Sequence, residues 1–346
     1  MTATAVIDLD ALRHNVRVLA QKASPAEVML AVKADAYGHG IIPIAQAGLT
    51  AGAASLAVLE IPAGLALRRA GITVPLFAWL HGMHTDFAAG IEADIELGIS
   101  AAWQLQAIAD AGADRPAVVH LKVDTGLSRN GASLEDWPAL IDVALELERR
   151  GVLRVRAAWT HLADASVEAD EDALALFHGA VQTAKDRGAS FEILHMAASS
   201  AGIRMPEARF DLVRFGIAAY GISPFDDQSG ADLGLRPVMS LRAPVISVDG
   251  SVATVAAGFG DGVHALGAGR AAVRLGDARC RVLTVDVDTM TIQVESGATP
   301  GDEIVLFGDS RRGEPTAEQW ADWSETIGDE IVTRVSARVP RTYLNG

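Results

Sequence analysis

Cysteine is all but missing from this chain. The single Cys280 leaves no intrachain disulfide to form, which suits a reducing cytoplasm, and a lone cysteine reads more simply as a small buried hydrophobe than as a nucleophile. No apolar run approaches the roughly eighteen residues needed to cross a bilayer, so no membrane partner is expected. The opening MTATAVIDLD has neither a basic segment nor a long apolar one, and no secretory signal is read there. Basic charge is also short. The net charge of −15 disfavours a nucleic-acid partner, since phosphate backbones are bound by clustered Lys and Arg, and an acidic surface serves solubility. No glycine-rich dinucleotide fingerprint follows the first strand, and no internal repeat or low-complexity tract is visible.

Apolar material is plentiful. With 346 residues, half of them hydrophobic and 21% charged, the chain can build two domains or one large barrel with an attachment. Ala5 to Leu9 reads as a short strand, and Asp8 or Asp10 can cap a helix through Ala11, Leu12, Val16 and Leu19. Apolar runs then recur at Val28 to Val32, Ser55 to Val58, Val74 to Trp79, Ala93 to Ile95, Val118 to Val123, Val155 to Thr160 and Ile193 to Met196. Stretches rich in Ala, Leu, Glu and Arg separate them. Such alternation predicts parallel βα units, about eight of them in a closed (β/α)8 TIM-type barrel over residues 8–225, with a doubly wound sheet as the alternative. SPFDDQSGADLG reads as a linker. Beyond it, short β-rich runs and a strand over Gly301 to Phe307 predict a mainly antiparallel β domain over residues 226–346, to which residues 1–7 could add a strand. Thr316 to Trp323 is expected to be a helix and Glu330 to Val339 a final strand.

In a barrel, functional groups collect at the C-terminal ends of the strands. There stand Lys33, Lys122 with Arg129 in the following loop, His161, His195 with Ser199, and Arg214 with Gly216, Ile217 and Tyr220. Taken alone, His161 reads as a hydrogen-bonded core histidine, and five such clusters at one face argue against that reading. Lys33 ends an apolar run abruptly. A buried ammonium without a partner tends to lose its proton, and a neutral lysine attacks carbonyls, as a Schiff base with a pyridoxal aldehyde requires. The plainer reading is a strand-end lysine reaching solvent. Ser199, Gly216 and Ile217 occupy the loops where such barrels commonly hold a phosphate, although FGIAAYG could equally be a turn and a buried strand.

The stretch AVKADAYGHG resembles the signature of the alanine racemase family, pyridoxal-phosphate enzymes that join a TIM-type barrel to a smaller β domain. The resemblance continues through IDLDALRHNV, HLKVDTGLSRNG, THLADA, FDLVRFGIAAYG, LRPVMSLRA and RVPRTY, covering nearly the whole chain. It implies that Lys33 carries pyridoxal 5′-phosphate and acts as one base. It implies further that Tyr37, Ser199, Gly216 and Ile217 bind the cofactor's phosphate, that Arg214 meets its pyridine nitrogen, and that His161 sets the charge of the surrounding network. Arg129 and Lys122 would contact a small amino-acid substrate, Lys122 at a position often carbamylated. A cationic partner keeps the pyridine nitrogen unprotonated, which suits simple proton transfer. The implied activity is interconversion of L- and D-alanine by a cytoplasmic homodimer with no metal.

Several positions depart from the family pattern. The family's second base, a tyrosine of the partner subunit in a VSYG stretch, has no counterpart in APVISVDGSVATVAAGFGDG. Phe259 replaces a tyrosine in GFGDG, Asp329 stands where a phosphate-binding tyrosine is expected, Val285 replaces the methionine before Asp286, and Ala198 an asparagine. Three outcomes are compatible: a racemase whose second base is His264, Asp286 or Asp329, a pyridoxal enzyme working on one face of its substrate, or a binding or regulatory homologue.

Overall fold

The structure is a computed structural model and describes residues 2–295 and 297–346. The chain divides into two compact units, one of residues 1–18, 34–47 and 217–346, the other of residues 19–33 and 48–216.

Strand β1 (Thr4–Asp8) belongs to the first unit and runs into the helix Leu9–Ala23, which Asp8 caps by accepting from the amides of Asp10 and Ala11. The second unit is the barrel. Its strands are β2 (Glu27–Ala31), β3 (Ser55–Val58), β4 (Leu76–Ala78), β5 (Ile95–Ile99), β6 (Ala117–Lys122), β7 (Leu153–Trp159), β8 (Ile193–His195) and β9 (Leu212–Phe215). All are parallel, in the order β8-β7-β6-β5-β4-β3-β2-β9. Closure between β8 and β9 comes from Asp211 N–H to Leu194 O (3.2 Å), Arg214 N–H to Ala197 O (3.1 Å) and Leu194 N–H to the Asp211 carboxylate (2.7 Å). Met29, Ala31, Ala57, Phe77, Trp159 and Leu212 pack together inside, as the strands' apolar runs require. The run predicted at Ala93 to Ile95 is displaced. Ala93 and Asp94 end the preceding helix and turn, and the strand is Ile95–Ile99 with Glu96 inside it.

The first unit holds β10 (Met239–Asp249), β11 (Val252–Val255), β12 (Ala272–Leu275), β13 (Ala278–Val285), β14 (Met290–Gln293), β15 (Glu303–Phe307) and β16 (Arg341–Leu344). The order is β11-β14-β13-β12-β15-β10-β1-β16, and a further β10–β11 pairing closes the first six into a ring. All pairs are antiparallel except β1 with β16. β10 turns directly into β11 through Gly250 and Ser251, Gly250 taking a φ of +58° that favours glycine. The strand expected over Glu330 to Val339 is not formed. Gly328–Thr333 is a helix with Asp329 and Glu330 in its first turn, where carboxylates favour a helix N-terminus, and the strand begins only after Pro340. No helix among the described residues is long and apolar enough to cross a membrane.

Candidate active site

The barrel unit brings together most of the groups that the sequence placed at strand ends. Lys33 stands two residues beyond β2 and is half-buried. Lys122, the last residue of β6, is 1% exposed; its Nζ donates to Asn130 Oδ1 and lies 4.7 Å from the Trp159 ring centroid. These are two of only four lysines in the chain. Burial, then the charges of Arg214 and Arg129, pulls the Lys122 pKa down to about 7 against the opposing pull of Asp124. Arg129 is exposed on the loop after β6.

Arg214, on β9, is buried, and its two terminal nitrogens are bonded to carbonyls and ring nitrogens. Nη2 donates to Thr160 O (2.9 Å) and Met196 O (2.7 Å) and lies 3.4 Å from His161 Nδ1; Nη1 donates to His195 Nδ1 (2.9 Å). Its guanidinium carbon sits 5.1 Å from the Trp159 ring centroid. Among the described residues it forms no ion pair with a carboxylate. Burial and Arg129 lower its pKa to about 9, which still leaves it charged at neutral pH. His161 follows β7. Burial, then Arg214, Arg129, Lys122 and Lys33 in that order, drives its pKa well below the ordinary range, so it stays neutral. Arg214 and Arg129, with Lys122 and Lys33 near them, thus bear on one imidazole, an environment that favours an anion. At the ends of β8 and β9, Ser199 opens a short helix, and its Oγ accepts from the Gly216 amide (3.2 Å).

The first unit carries Tyr37, Ile217, Tyr220 and the GHG of the signature. Ala34, Asp35, Ala36 and Tyr37 all have φ between +51° and +55°, a single left-handed turn built without glycine. Each such residue costs about 1–2 kcal/mol, so the turn needs outside support. It has it. The Gly38 amide donates to Ala34 O, the Gly40 amide to Asp35 O, Asp35 Oδ1 accepts from the Ile41 amide, and His39 Nδ1 donates to Ala36 O and Tyr37 O. Arg341 Nε binds Gly38 O, and the Tyr343 hydroxyl donates to His39 O. Gly40 is obligatory, because a Cβ there would lie 2.0 Å from the Tyr343 hydroxyl. Tyr37 and Tyr220 are buried with ring centroids 4.8 Å apart, and burial followed by Asp329 raises the Tyr37 pKa. Ile217 is buried in the 3-10 turn after β9.

Of the substitute bases named from the sequence, His264 is half-buried with Nδ1 accepting from the Leu266 amide (3.3 Å) and a lowered pKa, Asp286 is exposed, and Asp329 neighbours Tyr37. Sequence reasoning passed over Asn130, Thr160 and Trp159. It also passed over Glu96 and His120, although a carboxylate and an imidazole inside apolar strands were signals in themselves.

Comparison with known proteins settles the family. The model of the alanine racemase N-terminal domain matches residues 7–224 and that of the C-terminal domain residues 241–343. The chain belongs to the alanine racemase family. The alanine racemase of Mycolicibacterium smegmatis is 39% identical over 376 aligned positions, covering 99% of this chain and 95% of the relative. That of Frankia casuarinae is 41% identical over 371 positions, with 99% and 97% covered. The crystal structure of alanine racemase from the D-cycloserine-producing Streptomyces lavendulae superposes with a TM-score of 0.96 at 37% identity, covering 100% of this chain and 98% of that one. Enzymes of this family are isomerases that depend on pyridoxal 5′-phosphate. The M. smegmatis alignment has 376 positions and this chain 346 residues, so at least 30 positions face a gap here.

Proposed function

We propose that this chain is a pyridoxal-phosphate-dependent racemase of alanine or a similarly small amino acid, with Lys33 as cofactor carrier and base on one face of the substrate. The observation that carries the reading is the cationic field at one end of the barrel, where a buried Arg214, bonded to Thr160 O, Met196 O and His195 and 3.4 Å from His161, stands with Arg129, Lys33 and Lys122 at the neighbouring strand ends. An anionic cofactor bound with an anionic amino acid needs such a field. The barrel's groups fit the cofactor. A buried guanidinium without a carboxylate partner suits a neutral ring nitrogen, and the Ser199 hydroxyl with the Gly216 amide suits a phosphate, to which the family resemblance also assigns Tyr37 and Ile217. Asp329 beside Tyr37 works against that phosphate.

When bound, the cofactor supplies an electron sink for the charge left on the α-carbon. Lys33 moves the α-proton at its Nζ. Arg214 would donate toward the ring nitrogen and keep it from taking a proton, and Arg129 would hold the substrate carboxylate, with Lys122 set against Arg129. His161, kept neutral, adds no competing charge. The opposite face has no tyrosine. The chain contains three, and Tyr37 and Tyr220 are buried while the Tyr343 hydroxyl is committed to His39 O. β10 and β11 are joined by a two-residue turn, in the stretch where the family pattern has its VSYG tyrosine, which supports that reading. Proton transfer on the Lys33 face therefore runs ahead of inversion. By the same resemblance we assign a homodimer and a cytoplasmic setting. Holoenzyme incubated with L-alanine and analysed by chiral chromatography is expected to form D-alanine; none from alanine or any other small amino acid would contradict the assignment.

Lys122 adds a second expectation. Its near-neutral amine can attack carbon dioxide, forming an N–C bond and releasing a proton, and the carbamate anion would answer the two arginines that disfavour the ammonium. The neutral fraction grows as pH rises through about 7, so the carbamate carbon seen by NMR with labelled bicarbonate should strengthen from about pH 6 to 8 and vanish in Lys122→Ala. A pH-independent signal, or one that survives in the variant, would refute it.

A further inference from the structure

Below Arg214 a line of side chains crosses the barrel interior from its mouth toward its floor. Arg214 Nη1 donates to His195 Nδ1 at 2.9 Å, His195 Nε2 meets His120 Nδ1 at 2.9 Å, and His120 Nε2 meets Glu96 Oε2 at 2.9 Å. The other Glu96 oxygen accepts from Arg156. These residues come from β9, β8, β6, β5 and β7, and both histidines are fully buried. Such interiors are normally filled by branched apolar side chains, so a polar line there calls for a purpose.

The chemistry of its two ends fixes the direction of every proton. A guanidinium only donates, so His195 Nδ1 must present its lone pair. A neutral His195 then carries its proton on Nε2 and donates to His120 Nδ1. His120 in turn carries its proton on Nε2 and donates to Glu96, and an ionised carboxylate only accepts. Both imidazoles thus point their lone pairs at the cation and their N–H groups at the anion. Aligned this way, they join a buried cation to its nearest bonded counter-charge. Burial, opposed by Glu96 at His120, lowers both histidine pKa values, and the Glu96 carboxyl is also lowered because His120 and Arg156 outweigh its burial. The rings cannot turn aside. His195 lies flat on Trp159 (5.4 Å, 2°) and His120 on Phe77 (4.6 Å, 20°).

We propose that Glu96 and His120 are positioning residues for Arg214, holding its guanidinium through His195 in the single hydrogen-bond direction a donor-only group allows. Without an acceptor at Glu96, the His120 proton is either stranded or moves to Nδ1, where it meets the His195 proton and breaks the line. His195 is then released from its neighbour, and Arg214 loses one of its anchors. The catalytic consequence rests on Arg214 meeting the cofactor nitrogen; the proton arrangement does not.

Two-bond proton–nitrogen correlation NMR on cofactor-free, histidine-labelled protein reads the arrangement directly, whether or not the chain racemises alanine. His195 and His120 should both be neutral with the proton on Nε2, and a proton on Nδ1 of either overturns the proposal. Glu96→Gln retains an acceptor oxygen for His120 and should keep this pattern, with kcat within about threefold of the parent enzyme. Glu96→Leu, which removes the acceptor, should lose the His120–His195 coupling and reduce kcat about tenfold while KM stays within about twofold. A folded Glu96→Leu protein with an unchanged histidine pattern and unchanged kcat would overturn the positioning role. If that variant does not fold, the parent spectrum still decides it, since a proton on Nδ1 of either histidine overturns the arrangement on which the positioning role rests.

Discussion

Replacing Lys33 by alanine is expected to reduce α-proton exchange on alanine by about 10³-fold or more, since in the proposed function Lys33 is both the base, a role that contributes about 10²–10⁴-fold, and the cofactor's carrier. The loss should fall on kcat and kcat/KM together, as expected when a group acts in the transition state. Lys122 cannot take over. It is 1% exposed and its Nζ donates to Asn130 Oδ1. Stability should change little, because Lys33 is only half-buried and lies beyond the end of β2. Addition of a small primary amine should restore part of the exchange. Equal exchange in parent and variant, with both folded, would remove Lys33 from the mechanism.

A second large effect is expected at Arg214. Changing it to leucine removes donors from Thr160 O, Met196 O and His195 Nδ1 in a dry interior and should cost about 2–4 kcal/mol of stability. Catalysis should fall about 100-fold or more, because the cofactor nitrogen loses its donor. Arg214→Lys tests whether charge alone suffices. A point charge cannot reproduce a planar fork that serves several acceptors, so the lysine variant should be little more active than the leucine one. Thermal melts alongside kcat/KM separate the two effects, and near-parental activity in Arg214→Lys would show that the fork geometry is dispensable.

Much of the barrel was legible because its strands are buried on both faces. Continuous apolar runs such as Val28 to Val32 announce themselves, and polar residues that break them, such as Lys33 and Lys122, mark the strand ends. The same logic misplaced β5, where Glu96 interrupts the apolar pattern from within the strand. The final strand was misread for a related reason. In Glu330 to Val335, apolar and polar residues fit both periods, and the carboxylates at the helix N-terminus together with Pro340 decided the outcome. The left-handed turn at Ala34 to Tyr37 could not be seen, because no propensity favours it and its support comes from Arg341 and Tyr343, some three hundred residues away. The Glu96–His120–His195 line needed the closed barrel before its members became neighbours. Tyrosine scarcity, by contrast, was written in the sequence, which has three.

The central claim is that this racemase-family enzyme works with a lysine on one face and no tyrosine on the other. The most direct measurement follows, by mass spectrometry and chiral separation, holoenzyme in deuterated water acting separately on L- and D-alanine. Deuterium should enter one enantiomer with retained configuration several-fold faster than its mirror image forms. Exchange and inversion advancing in step from both enantiomers would contradict the claim, because a matched base would then have to stand on each face.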